Sequence, residues 1–279
     1  MGAVALVGAS LYAGHLLTKP AGSAVGLPPA ELGGRSVSFP SASGSRISGW
    51  FAAGTRGKGA VLLLHPVRSN RLAMAGRAKF LHALGYAVLL VDLQAHGESP
   101  GERITFGYRE GMDAVAAIAT LKQIAPGEKI GAIGISLGAA SLVLSGAHEA
   151  LSAVVLESMY PTIAKAVQGR LRLRFGNWAT VLAPLLLWQL EPRLGVAPQL
   201  LRPVDRVSLL RPPVLLVHGT EDRHTSLGEA YEVFERISSA KSMYAVQGAA
   251  HVDLHRFAGK EYEHRVDAFL SVLRRRDST

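Results

Sequence analysis

The chain has 279 residues, 48% of them hydrophobic, and a formal net charge of +9. That much apolar material builds one large domain or two small ones and excludes global disorder. Cysteine is absent, which excludes disulfides, thiolate metal sites and cysteine nucleophiles.

The first thirty residues stand apart. Ala3 to Leu17 is almost entirely apolar or small. As a helix it would span about 22 Å, short of the roughly 30 Å of a bilayer core. That length suits a signal-peptide core or a marginal membrane anchor, although the only nearby lysine, Lys19, follows the run instead of preceding it. Ala21-Gly22-Ser23-Ala24 would serve as a weak cleavage site. The expectation is a membrane-anchored or exported protein, with a cytoplasmic one carrying an ordinary packed helix as the alternative.

From residue 31 to 279 the pattern reads as one α/β domain. Arg35–Phe39 and Arg46–Ala52 read as an antiparallel pair turning at Ser43-Gly44. Gly59–His65 and Tyr86–Asp92 are continuous apolar runs of the kind found in buried parallel strands, with a helix over 71–84 between them. A helix over 108–124 follows, then a strand over 129–133. Further strands are expected at 152–156, 213–218 and 242–246, with helices at 227–237 and 261–274. Alternation of this kind predicts a mostly parallel sheet with helices on both faces.

Residues 161 to 211 break that rhythm ahead of the strand at 213–218. This insert carries Trp178, Pro184, Trp188 and the run VLAPLLLWQL. It reads either as a helical cap over a site, lining an apolar pocket, or as extra helices on the sheet edge. Basic residues gather at Arg170-Arg172-Arg174, at 202–211 and at Arg274-Arg275-Arg276. They read as a solvated surface or as attraction to an anionic membrane surface. They are not interleaved with aromatics, so nucleic-acid binding is not expected.

The most informative stretch is Gly134-Ile135-Ser136-Leu137-Gly138, a G-x-S-x-G pentapeptide between a strand and a helix. At such an elbow the serine is strained and exposed, and its small neighbours avoid collisions. Serine is a poor nucleophile at neutral pH and needs a base, which itself needs an acceptor to fix its tautomer. In elbow hydrolases the chain order is Ser, Asp or Glu, His. Asp222, just past a buried strand, fits the acid, with Glu221 as its neighbour and rival. A plain loop aspartate capping the next helix is the structural alternative. His251, in a small-residue loop after the last strand, fits the base, with His255 as rival. His251, Asp253 and His255 also form an H-x-D-x-H string, a weak candidate for a metal. The oxyanion of acyl transfer needs two backbone N–H groups. One falls on Leu137, and the other is expected from the loop His65 to Ser69.

In this order and spacing, LLLHP, VDLQAHGES, GISLG, HGTED and GAAHVD resemble the α/β-hydrolase fold family, in its serine esterase, lipase and thioesterase branch. The resemblance covers roughly residues 35 to 275. It implies Ser136 as nucleophile, Asp222 as acid and His251 as base. It implies Val67 as the second oxyanion donor, and a structural role for the AHGES segment. The family commonly has His-Gly where this chain has His65-Pro66, and proline cannot donate. A donor one residue further on tolerates that change.

The expected function is therefore hydrolysis of a small-molecule acyl substrate, a carboxylic ester first and a thioester or amide next, through an acyl-serine, with no metal or organic cofactor. A peptidase or acyltransferase of the same fold is the alternative within the class. A non-catalytic membrane-associated binding protein is the alternative outside it.

Overall fold

A computed structural model describes residues 2 to 275, without the side chains of residues 2–6 and 148. Arg276, the last of the C-terminal basic cluster, lies outside the described residues. Eight strands make the main sheet: β1 Arg35–Pro40, β2 Arg46–Ala52, β3 Ala60–Leu64, β4 Ala87–Val91, β5 Ile130–Ile135, β6 Ala153–Glu157, β7 Val214–Gly219 and β8 Lys241–Val246. Their spatial order is β8-β7-β6-β5-β3-β4-β2-β1. All neighbours pair in parallel except β1–β2 and β2–β4, which are antiparallel.

The continuous apolar runs make sense in this setting. Along β3, Leu62 and Leu64 pack into one core and Val61 and Leu63 into another. Successive side chains of a strand point to opposite faces, so a strand covered on both faces is apolar throughout. Helices α3 (Tyr108–Ile124), α4 (Leu137–Leu144) and α8 (Leu227–Arg236) bury residues in the first core. Helices α2 (Ala75–Ala83) and α9 (Leu254–Leu270) bury residues in the second.

Helix α9 begins at Leu254, seven residues before the start expected from its apolar period. Asp253 caps it, accepting from the N–H groups of His255 and Arg256, and Gly259 then leaves helical geometry (φ 52°, ψ −124°). That kink interrupts the 3.6-residue period and hides the first turns from a pattern search.

Between β6 and β7 lie α5 (Ile163–Phe175), α6 (Ala183–Leu187), α7 (Leu190–Leu194) and several 3₁₀ turns. They own a separate apolar cluster, with Ile163, Val167, Leu171, Ala183, Leu190 and Leu194 at its centre. The apolar run of the first residues forms α1 (Gly2–Thr18). Among the described residues no helix is long and apolar enough to cross a membrane. Helix α1 lies against the α6–α7 region instead: Gln189 donates to the Ser10 carbonyl (3.0 Å) and Arg193 to the Leu11 carbonyl (2.6 Å). Ala21–Gly22, just after it, pairs with His96–Gly97 as a two-residue parallel ladder.

Candidate active site

Parallel strands put their carboxyl ends on one rim of the sheet, where loops converge. Ser136 follows β5 directly and has φ 50° and ψ −102°. A β-substituted residue pays for positive φ, and such strain collects where geometry serves chemistry. The flanking glycines are forced. A Cβ on Gly138 would lie 2.3 Å from the Leu64 carbonyl oxygen, and one on Gly134 2.5 Å from the Ala139 nitrogen. The Ser136 N–H donates to the Glu157 carbonyl (2.8 Å), which ties the elbow to β6.

Asp222 sits three residues past β7 and is 4% exposed. Its Oδ1 accepts from the N–H groups of His224 (2.8 Å) and Thr225 (3.0 Å). Its Oδ2 lies 2.6 Å from His251 Nδ1. Burial pushes this carboxyl up, but the hydrogen bond and charge of His251, together with the Thr225 N–H and His218, outweigh it and hold the group below its ordinary value. Asp222 does not cap α8; Ser226 does, accepting from Glu229 N–H. The rival Glu221 is exposed.

His251 occupies the loop between β8 and α9, its ring 5.0 Å from that of His224. His255 turns the other way, bonding Glu263 (3.1 Å) and stacking near Phe80 and Tyr262. Asp253 forms an ion pair with Arg77 (2.8 Å). The three side chains of the H-x-D-x-H string thus diverge, and among the described residues no group of three such ligands is arranged to hold a metal. Among the described residues the Ser136 hydroxyl has no hydrogen-bond partner. Bonds from nucleophile to base are often long before substrate fills a site.

The loop after β3 carries an arrangement the sequence did not announce. His65 is fully buried, and burial pushes its pKa down to about 3. Its Nε2 accepts from Leu93 N–H (3.1 Å), so Nδ1 bears the hydrogen and donates to the Pro66 carbonyl (2.7 Å). A trans peptide is planar, with C=O and N–H on opposite sides. Fixing the Pro66 carbonyl towards His65 therefore turns the Val67 N–H away from it. Val67 and Leu137 line the same small cavity, of about 70 Å³. Neither N–H has an acceptor among the described residues. Proline at 66 costs nothing here, because the free donor belongs to residue 67.

The rest of that cavity is mostly apolar, with Phe106, Tyr160, Ile163, Val167, Leu186 and Leu190 from body and insert and Gly14 and Leu17 from α1; Thr18, Arg68 and Arg170 are its polar members. A wider groove of about 770 Å³ shares Leu17, Val167, Arg170 and Leu186 and reaches His224. Both α1 and Arg170 therefore face the site. Sequence reasoning placed neither there. Arg170 and Arg174 sit four apart on a helix and both line the groove, whereas Arg172 does not. That spacing was the only available signal.

Behind the rim, Arg77 bonds Glu157 through Nε and Nη2 (3.0 and 2.7 Å) and Tyr262 through Nε. With its Asp253 ion pair it joins the strand behind Ser136 to the loop of His251. The AHGES segment is structural: Glu98 N–H and Ser99 Oγ bond Asp92 (2.8 and 2.7 Å), and Arg71 pairs with both Asp92 and Glu98.

A family model described as serine aminopeptidase, S33, matches residues 55–199, more than half of the chain. The chain belongs to this family of α/β hydrolases. It is 25% identical to the uncharacterized protein YqkD of Bacillus subtilis, over 86% of this chain and 80% of that one. It is 34% identical to human alpha/beta hydrolase domain-containing protein 17C over 68 residues, 24% of this chain and 20% of that one. Among solved structures it resembles an esterase of Pyrococcus furiosus, with a TM-score of 0.74 and 22% identity over 93% of this chain and 99% of that one. The fold is the α/β-hydrolase fold, a mostly parallel sheet with helices on both sides.

Proposed function

We propose that this hydrolase cleaves carboxylic esters through an acyl-serine intermediate, with Ser136 as nucleophile, His251 as base and Asp222 as the residue that orients it. What carries the reading is that Val67 and Leu137, two residues with unpaired amides, line one cavity next to a strained serine. Two preorganised donors suit the oxyanion of acyl transfer.

On this reading the steps are as follows. Asp222 Oδ2 holds the His251 Nδ1 hydrogen, which leaves Nε2 free to accept a proton. Ser136 Oγ bonds to the carbonyl carbon, its proton passes to His251, and the oxyanion turns to the Val67 and Leu137 N–H groups. Collapse breaks the bond to the alcohol, which takes the proton from His251. Water then repeats the sequence and releases the acid. Thioesters and amides, and transfer to another acceptor, use the same acyl-enzyme.

The family description favours a second reading, an aminopeptidase. Such an enzyme must hold a free ammonium group, and carboxylates serve that purpose. No Asp or Glu is among the residues lining either cavity, whereas Arg68 and Arg170 are. The lining therefore supports an ester substrate over a peptide N-terminus. A lipid surface as the place of action draws support from the exposure of Tyr12, Trp178, Val181 and Trp188, at 65%, 67%, 72% and 70%. Failure of the protein to sediment with anionic vesicles would remove that part of the reading.

A fluorophosphonate probe tests the chemistry. Labelling of the wild type that disappears in Ser136→Ala is the expected result. A folded wild type that resists the probe points to a non-catalytic binding protein instead.

A further inference from the structure

Arg170 lines both cavities, and most of the side chains beside it are apolar. Its neighbour Gly169 explains how it is held there. A Cβ on Gly169 would lie 2.4 Å from the His224 carbonyl oxygen, so α5 presses against the loop that carries Asp222 and His224. Among the described residues the Arg170 guanidinium makes one hydrogen bond, from Nη1 to the Ala166 carbonyl of its own helix (3.3 Å). A guanidinium has five N–H donors. Among the described residues no carboxylate lies within 4 Å of it.

The other arginine of the inner cavity is already engaged. Arg68 donates to the carbonyls of Leu16 and Lys19 (3.0 and 3.4 Å) at the end of α1, where cations are favoured. Arg174, one helical turn beyond Arg170, lines the outer groove and likewise has no carboxylate within 4 Å among the described residues. The site thus presents a planar, forked cation beside the candidate triad and a second cation further out; Asp222 is close enough to act on Arg170 through its charge but, among the described residues, forms no ion pair with it. Left unpaired in partly apolar surroundings, Arg170 is costly to keep without a ligand.

We propose that Arg170, supported by Arg174, binds an anionic group of the substrate, a phosphate or a carboxylate. The acyl chain would fill the apolar cavity behind Val67 and Leu137, and the charged group would lie in the groove beside His224. This rests on the serine-hydrolase reading and adds to it the class of ester that is cleaved.

Matched substrates of equal acyl length test it on the full-length protein. One pair compares a neutral phenyl ester with its analogue bearing a carboxylate on the phenol ring. The other compares a monoacylglycerol with the corresponding acylglycerol phosphate. In at least one pair, kcat/KM for the anionic member is expected to exceed the neutral one by roughly ten- to a hundredfold, as charge-assisted bonds to a planar fork allow. The pair that shows the preference identifies the group. Arg170→Gln should bring that ratio close to one, and Arg170→Lys should recover part of it. If Arg170→Gln melts below the assay temperature, Arg174→Gln carries the test, with a smaller fall in the ratio.

Two results overturn the inference: a wild type that prefers neither anionic ester, or an Arg170→Gln variant that lowers both members of a pair by the same factor. A wild type labelled by fluorophosphonate but indifferent to charge loses only this inference. One that is not labelled loses the hydrolase mechanism as well.

Discussion

The rim of the sheet and the helices above it are held together by different forces. On the rim, directional bonds fix the groups that surround the serine. Both oxygens of Asp222 are engaged, both ring nitrogens of His65 are engaged, and Arg77 ties Glu157 to the loop of His251. Above it, α5, α6 and α7 share an apolar cluster of their own, and α1 joins them through a few bonds to Gln189 and Arg193. Hydrogen bonds demand one geometry, whereas apolar contact is non-directional. A rim built this way can hold reacting atoms in place, and a cover built this way can change its lining without disturbing them. On this view the rim sets the reaction and the cover selects the substrate.

The sharpest way to break that division is on the rim. His251→Ala should cost about four to six orders of magnitude in kcat, by the behaviour of triads that act as a unit. His255→Ala, four residues away, should leave kcat within a fewfold, because its ring belongs to the Glu263, Phe80 and Tyr262 cluster. Steady-state kinetics on one ester decides between them. Equal losses would mean that the Asp222–His251 pair is not the acid–base unit.

How much of each region could be read from the sequence follows the same division. Rim residues are set by local rules. The glycines around Ser136 are demanded by clashes within a few residues of the elbow or with the adjacent strand, and Asp222 and His251 follow buried strands whose apolar runs are visible. The role of His65 was not visible, because it depends on a bond from Leu93 in the loop after β4. Nor was the place of α1, since an apolar run looks the same whether it packs on lipid or on α6 and α7. Arg170 was counted among three surface arginines. Only a helix phase fixed by the contact of Gly169 with His224 separates it from Arg172.

A second prediction concerns what holds the rim in place. His65 is buried and neutral, with its pKa pushed from 6.5 to about 3. The unfolded chain therefore binds a proton that the folded one refuses. Its contribution to stability is complete above pH 6.5 and is lost as pH falls from 6.5 towards 3, with a slope of up to about 1.4 kcal/mol per pH unit. His218 and His224 are shifted down by burial as well and add in the same direction. Urea melts of wild type and His65→Gln across pH 4 to 7 isolate the His65 share. The wild type should lose stability more steeply on acidification, and the two curves should converge at the acid end. Parallel curves would mean that His65 is not held neutral, and the tautomer that aims the Val67 N–H would lose its basis.

The smallest expected effect lies in the cover and bears most directly on what it does. Leu17 of α1 is half-buried and lines both the enclosed cavity and the open groove, so it forms part of the wall between them. Truncating it to alanine removes apolar contact at a half-exposed position, at a cost of about 1 kcal/mol, below that of a fully buried leucine. The wall then opens, and longer acyl chains gain room that short ones do not use. A methylene accommodated in an apolar pocket is worth roughly a tenfold change in selectivity. The ratio of kcat/KM for a long over a short acyl ester should therefore rise by about that factor in Leu17→Ala. If the ratio stays fixed while the melting temperature falls, α1 stabilises the fold without shaping the pocket, and selection belongs to α5 to α7 alone. If instead both esters lose turnover together, α1 reaches the rim, and the separation between reacting edge and selecting cover is drawn in the wrong place.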